Sequence, residues 1–117
     1  MPELVSDPTL IPVPGGKTIA EYIGRVRTRD DKVSVALMNA PAGWSEPAQT
    51  PDFDEFTLVI TGELDLECDG STITIGAGQA VITRAGERVR WFTRSDAQYV
   101  AICVPAFSPE NVNRDPE

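Results

Sequence analysis

Histidine is absent from this 117-residue chain, and that narrows the chemistry open to it. Neutral imidazole is the commonest side-chain ligand for transition metals and the usual general base near neutral pH. A Ser-His-Asp triad and a His-bound zinc or iron site are therefore excluded, which leaves carboxylate or thiolate sites. Glu46, Asp52, Asp54 and Glu55 crowd one short stretch, beside Trp44, Gln49 and Thr50. Two carboxyl groups inside an apolar interior cannot both ionise cheaply, because desolvation and mutual repulsion raise at least one pKa. Such a pair is a proton donor and a proton acceptor together, the minimum for enolisation, isomerisation, lyase or decarboxylase chemistry. The two thiols, Cys68 and Cys103, have neither a metal-ligand spacing nor a base near them in sequence, and read as reduced cysteines of a cytoplasmic protein.

The elements that must hold these side chains are strands. Gly and Pro, 9 and 10 in number, punctuate short apolar stretches instead of gathering in one linker. Strands are expected at Thr18 to Val26, Val33 to Met38, Phe56 to Thr61, Glu63 to Cys68, Thr72 to Ile75, Ala80 to Thr83, Val89 to Thr93 and Tyr99 to Val104. Leu64, Leu66 and Cys68 alternate against Glu63, Asp65 and Glu67, and Asp69-Gly70 supplies the positive φ that a tight hairpin needs. Short strands at this spacing, with edges to protect, predict an all-β sandwich or closed barrel. Residues 1–17 are rich in Pro and Gly and read as an extended arm whose order depends on docking to the barrel or to a second subunit, residues 18–106 as the barrel, and 107–117 as a polar tail expected to fray.

Composition sets the partners. The 18 acidic residues against 10 Lys plus Arg give a net charge of -8, which repels nucleic acid and an anionic membrane surface alike. No apolar run approaches the ~20 residues that span a bilayer, and the start of the chain lacks the basic cluster and apolar stretch of a secretory signal. Edge strands and a proline-rich arm lead us to expect a homodimer.

The segment from Pro41 to Leu64 resembles the first motif of the cupin superfamily, in which a glycine precedes His-x-His, an acidic residue and a second glycine. Glu55 and Gly62 stand in that motif's frame, and Leu58-Val59-Ile60-Thr61-Gly62-Glu63-Leu64 matches its strand-turn-strand passage. Gly78 to Thr93 resembles the second motif, keeping Gly78 and Gly86 but carrying Arg84, Val89 and Thr93 at other motif positions. The resemblance implies a double-stranded β-helix, or jelly-roll barrel, with an extended N-terminal arm. It also implies that the metal ligands are gone. Ala48 and Thr50 stand at the two histidine positions in one register, Gln49 and Pro51 in the other, and Glu55 alone survives. One carboxylate does not hold a transition metal against water, so no metal and no cofactor are expected, with Glu46, Asp52 and Asp54 as reserve oxygen donors.

In that frame Glu55 points into the barrel, and Glu46 and Trp44 share the inward face with Ala48 and Thr50 if the first register applies. Glu46 facing water is the alternative. Arg84, at the barrel mouth, either clamps an anionic ligand or pairs with Glu87. Trp91, Trp44 and Tyr22 are candidate aromatic walls, with Gln49 and Thr50 as polar contacts. The leading expectation is a metal-independent cupin that binds a small polar organic molecule, with Glu55 and Glu46 as candidate catalytic acid and base. A non-catalytic binding or sensor cupin is the second. The third follows from similarity to ethanolamine-utilisation cupins of the EutQ type, which implies acetate kinase activity, although the chain has no Gly-rich phosphate loop.

Overall fold

The computed structural model describes residues 1–116. Among them are nine strands and no helix: β1 (Thr9–Ile11), β2 (Thr18–Ile23), β3 (Ser34–Ala40), β4 (Asp54–Thr61), β5 (Glu63–Cys68), β6 (Ser71–Gly76), β7 (Ala80–Thr83), β8 (Arg90–Phe92) and β9 (Ala97–Val104). All pair antiparallel in two sheets, one ordered β1-β2-β3-β9-β4-β7 and the other β6-β5-β8. The architecture is a jelly-roll double-stranded β-helix. No helix is long and apolar enough to cross a membrane.

Local chemistry accounts for the turns that set this arrangement. Asp69 and Gly70 take φ of 53° and 75°, closing the β5–β6 hairpin with Cys68 opposite Ser71. Gly62, at φ 75°, lets the chain leave β4 in the large sheet and enter β5 in the small one. Between the sheets, Trp44, Val59, Leu64, Leu66, Ile75, Val89, Trp91 and Tyr99 form the main core. A second cluster of Phe53, Cys103 and Val112, with Phe107 edge-on to Phe53, closes the other end.

The arm docks on the barrel, while the tail departs from the expectation. Thr9–Ile11 pairs with β2 through Thr9–Glu21, Leu10–Ala20 and Ile11–Ile19, so a strand lies within the proline-rich arm. The tail does not fray over residues 107–116. Thr50 donates its N–H to Asn113 carbonyl, Asp52 to Asn111 and Asp115 to Ala48, while Val112 is buried. These backbone bonds, with one apolar anchor, offset the ordering cost of an otherwise polar segment.

Candidate functional site

The inner face of the large sheet is legible as cross-strand rows. Glu21, Ala36, Ala101 and Thr57 lie side by side, and beyond them Ser34, Cys103, Glu55 and Thr83. Small side chains at Ala36, Ala101 and Ser34 leave the interior unfilled here. The result is a chamber of about 50 Å³ whose wall includes Lys17, Glu46, Gln49, Glu55, Trp91, Tyr99 and Arg114. A second cavity of about 350 Å³, bounded by Val13, Pro14, Gly15, Trp44 and Pro47, shares Lys17, Ile19, Glu46 and Arg114 with it as a common wall. The smaller space is large enough to hold water, and the larger lies under the arm.

Four charged groups face one another across this wall. Glu55 is buried, and desolvation raises its carboxyl pKa to about 7; Lys17 opposes the rise, Glu46 reinforces it and Arg114 opposes it. Lys17 is pushed below the ordinary lysine range by burial, against the pull of Glu46 and Glu55. Its ammonium stands 4.5 Å from the centroid of the Trp44 ring and 5.3 Å from that of Tyr99. Glu46 pairs with Arg114 at 3.5 Å. Burial also raises the Tyr99 hydroxyl and the Cys103 thiol, with nearby carboxylates adding to both, so neither ionises near neutrality. The Gln49 side-chain oxygen is buried in the chamber wall without a hydrogen-bond partner among the described residues. An orphaned acceptor of this kind costs about 1–3 kcal/mol and is offset by any donor that enters.

Of the residues expected at the site, Glu55, Glu46, Gln49 and Trp91 line the chamber, and Trp44 lines the outer cavity beneath Lys17. Three others lie elsewhere. Thr50 is held in a backbone exchange with Asn113, and its side chain is not part of either cavity wall. The register that paired Ala48 with Thr50 fails because residues 44–53, interrupted by Pro47 and Pro51, form isolated bridges and no continuous strand, so period-two alternation does not apply. Arg84 is 61% exposed, pairs with Asp54 at 3.4 Å and lies over the Phe56 ring outside the barrel. Glu87 caps its backbone N–H but is not its ion-pair partner. Tyr22 sits at a β-bulge between Glu21 and Ile23 and is part of neither cavity wall.

Sequence reasoning missed Lys17, Arg114 and Glu21. Lys17, Ile19 and Glu21 alternate as one face, a signal present in the residues at the start of β2. Arg114 reaches the chamber only through the docked tail, which no local pattern announces. Glu21 is already committed: its carboxylate accepts the N–H groups of Val26 and Arg27 at 2.9 and 2.8 Å and so braces the loop after β2.

The donor set does not fit a transition metal. Among the described residues no three His, Cys, Asp or Glu side chains converge on one point. At the remaining motif positions, Val89 is in the apolar core and the Thr93 hydroxyl donates to the Pro41 carbonyl. Two carboxyl groups, an amide oxygen and two cationic side chains make a poor ligand shell for a further cation.

Two antiparallel sheets enclosing a chamber with charged and amide groups in its wall define a jelly-roll β-barrel. The chain matches the cupin domain over residues 36–105 and belongs to the cupin family. It is 47% identical over 105 residues to the endoribonuclease YbeY of Myxococcus xanthus strain DK1622, a match covering 86% of this chain but 35% of that protein. The chain thus spans about a third of the curated relative it matches. Among solved structures, it is similar to the polyketide cyclase RemF from Streptomyces resistomycificus, with a TM-score of 0.78, 17% identity and coverage of 100% of this chain and 87% of that one. An RmlC-like cupin from Shewanella frigidimarina follows at 0.74, with 11% identity and 89% of each chain covered. The ethanolamine utilization protein Q of Salmonella typhimurium matches at 0.68, with 18% identity, over 78% of this chain and 71% of that one. At these identities the likeness is one of fold.

Proposed function

We propose that this cupin binds a small polar organic molecule in the chamber and outer cavity without a metal, and that Glu55 is its acid-base group. One observation carries the reading: a buried carboxyl with a pKa of about 7 shares a small chamber with an unpartnered Gln49 oxygen. A group of that pKa is protonated and ionised in comparable amounts at neutral pH, which suits both halves of a proton transfer. Glu46, tied to Arg114, is the second carboxylate and a candidate partner in the transfer. The protein acts in this reading as a homodimer in the cytoplasm, where Cys68 and Cys103 stay reduced.

A pure binding or sensor role shares the site and differs only in turnover. The acetate kinase reading has less support, because the sequence carries no Gly-rich phosphate loop and has a net charge of -8. That charge speaks equally against carrying over ribonuclease activity from the Myxococcus relative.

The test is a calorimetric and thermal-shift screen of small metabolites, with and without chelator, on wild type and Glu55→Gln. The expected result is a chelator-insensitive ligand whose conversion stops in the variant. A ligand whose binding disappears on chelation would overturn the metal-free reading. A ligand that binds and is never converted would leave the sensor role.

A further inference from the structure

Lys17 and Lys32 are the chain's two lysines, and they sit in opposite environments. Lys32 is on an exposed loop. Lys17 lies on the wall common to both cavities, its ammonium resting on the faces of Trp44 and Tyr99. Among the described residues no carboxylate comes within ion-pairing distance of it, although Glu46 and Glu55 line the same chamber. A lysine meant only for charge balance would be expected against one of those carboxylates; this one is held by ring faces with its nitrogen at the junction of the two spaces.

We infer that Lys17 is the reactive amine of this site and that its ligand is a small carbonyl compound, an aldehyde or 2-oxo acid, which condenses with Nζ. The inference rests on the reading of the chamber as a ligand site and names the substrate class. Burial favours the neutral amine that the chemistry requires. The nitrogen lone pair forms the C–N bond, the carbonyl π pair moves onto oxygen, and one of the two amine protons passes from nitrogen to that oxygen, giving a neutral carbinolamine. The C–O bond then breaks, the hydroxyl leaving as water with a proton supplied by the Glu55 carboxyl. The nitrogen loses its second hydrogen as a proton, which restores that carboxyl, and a neutral imine remains. The sum is amine plus carbonyl to imine plus water, and no oxidant or reductant is consumed. Gln49, a chamber-wall residue with an unpartnered buried oxygen, supplies an acceptor for the carbinolamine hydroxyl in this scheme, and the small chamber takes the carbonyl carbon and oxygen while the outer cavity takes the rest.

Reductive trapping tests this directly. Protein at neutral pH is incubated with propanal or pyruvate and sodium cyanoborohydride, which donates hydride to an imine, and the product is read by intact mass and peptide mapping. The expected result is one reduced adduct per chain, on Lys17, formed ahead of any at Lys32 or the amino terminus. It should persist in Lys32→Arg, slow in Glu55→Gln and vanish in Lys17→Met. Adducts at Lys32 and the amino terminus, with Lys17 unreacted toward both probes in folded wild type, would overturn the inference. That comparison needs no variant to fold. A chamber ligand found by calorimetry alongside an unreacted Lys17 overturns the imine alone and leaves the metal-free binding reading standing.

Discussion

A carboxyl group that titrates near pH 7 inside the barrel stores a pH dependence that can be measured without knowing the ligand. Glu55 has its folded pKa raised from 4.5 to about 7, so the folded state holds its proton through a range in which the unfolded chain has lost it. Its favourable contribution is therefore complete below pH 4.5 and is lost as pH rises through 7. The span corresponds to on the order of 3 kcal/mol. Glu55→Gln, neutral at every pH and similar in shape, should flatten the slope of stability between pH 4.5 and 8 and leave the variant more stable than wild type at the alkaline end. Urea denaturation at several pH values measures this, and parallel curves for the two proteins would refute the assignment. Glu55 was legible in the sequence because a motif frame fixed it relative to Gly62. The alternation that turns Glu46 inward with Trp44, Ala48 and Thr50 does not exist between Pro47 and Pro51, and Thr50 falls outside, whereas Gln49, from the other motif register, lines the chamber. Tyr22, a candidate for its aromatic ring, falls at the β-bulge between Glu21 and Ile23, which no local pattern announces, and lines neither cavity.

The sheets are built from local signals, but the way the chain passes between them depends on close approach. A Cβ added at Gly62 would stand 2.0 Å from the Asp96 carbonyl oxygen, and the residue also has φ of 75°. Gly70 has the same φ with nothing within 4 Å of such a Cβ. The pair separates the two costs. Gly70→Ala should lose about 1–2 kcal/mol, the price of the left-handed conformation alone. Gly62→Ala should lose at least about 3 kcal/mol and lower the melting temperature by about 10 °C or more, because backbone must also move. Equal losses in the two variants would show that the β4–β5 passage is not tightly fitted. The same distinction explains what alternation could and could not reveal. It placed Leu64 and Leu66 in the core and Asp65 opposite. Yet Asp65 is only 1% exposed, because Arg94, at 2.9 and 3.1 Å, and Thr74, at 2.6 Å, cover it. Partners that distant in sequence leave no periodic trace. β1 and the docked tail escaped notice for a related reason: each is ordered by pairing with a strand or loop already in place, and neither has a pattern of its own.

Across the whole molecule, the outer surface of the large sheet carries rows of apolar side chains. Leu10, Ala20, Leu37, Val100, Leu58 and Ala80 form one unbroken cross-strand row, and Ile23, Val35, Ile102, Phe56 and Ile82 form a second. Leu10, Leu58 and Ile82 are 70%, 44% and 53% exposed. A sheet apolar on both faces is the pattern of one covered on both faces. Six strands ~4.8 Å apart and two side-chain rows deep make a patch on the order of 400 Å², at the scale where exposed apolar area marks a contact. Neither row contains a charged residue, whereas the chain as a whole carries -8. Two copies would repel over most approaches and could meet without opposing charges through this face, which makes a second copy, related by a two-fold axis, the occupant we expect. The sequence-level argument for a dimer rested on strand edges and the proline-rich arm; the side-chain rows move the expected contact to the face of the sheet. Light scattering after size exclusion should then give twice the 12.7 kDa of the chain. Leu58→Asp with Ile82→Asp should halve that mass while leaving the far-ultraviolet circular dichroism unchanged, since both side chains point away from the chamber and the core. A wild-type particle of one chain mass would reject the contact, and a dimer that survives both substitutions would place it elsewhere.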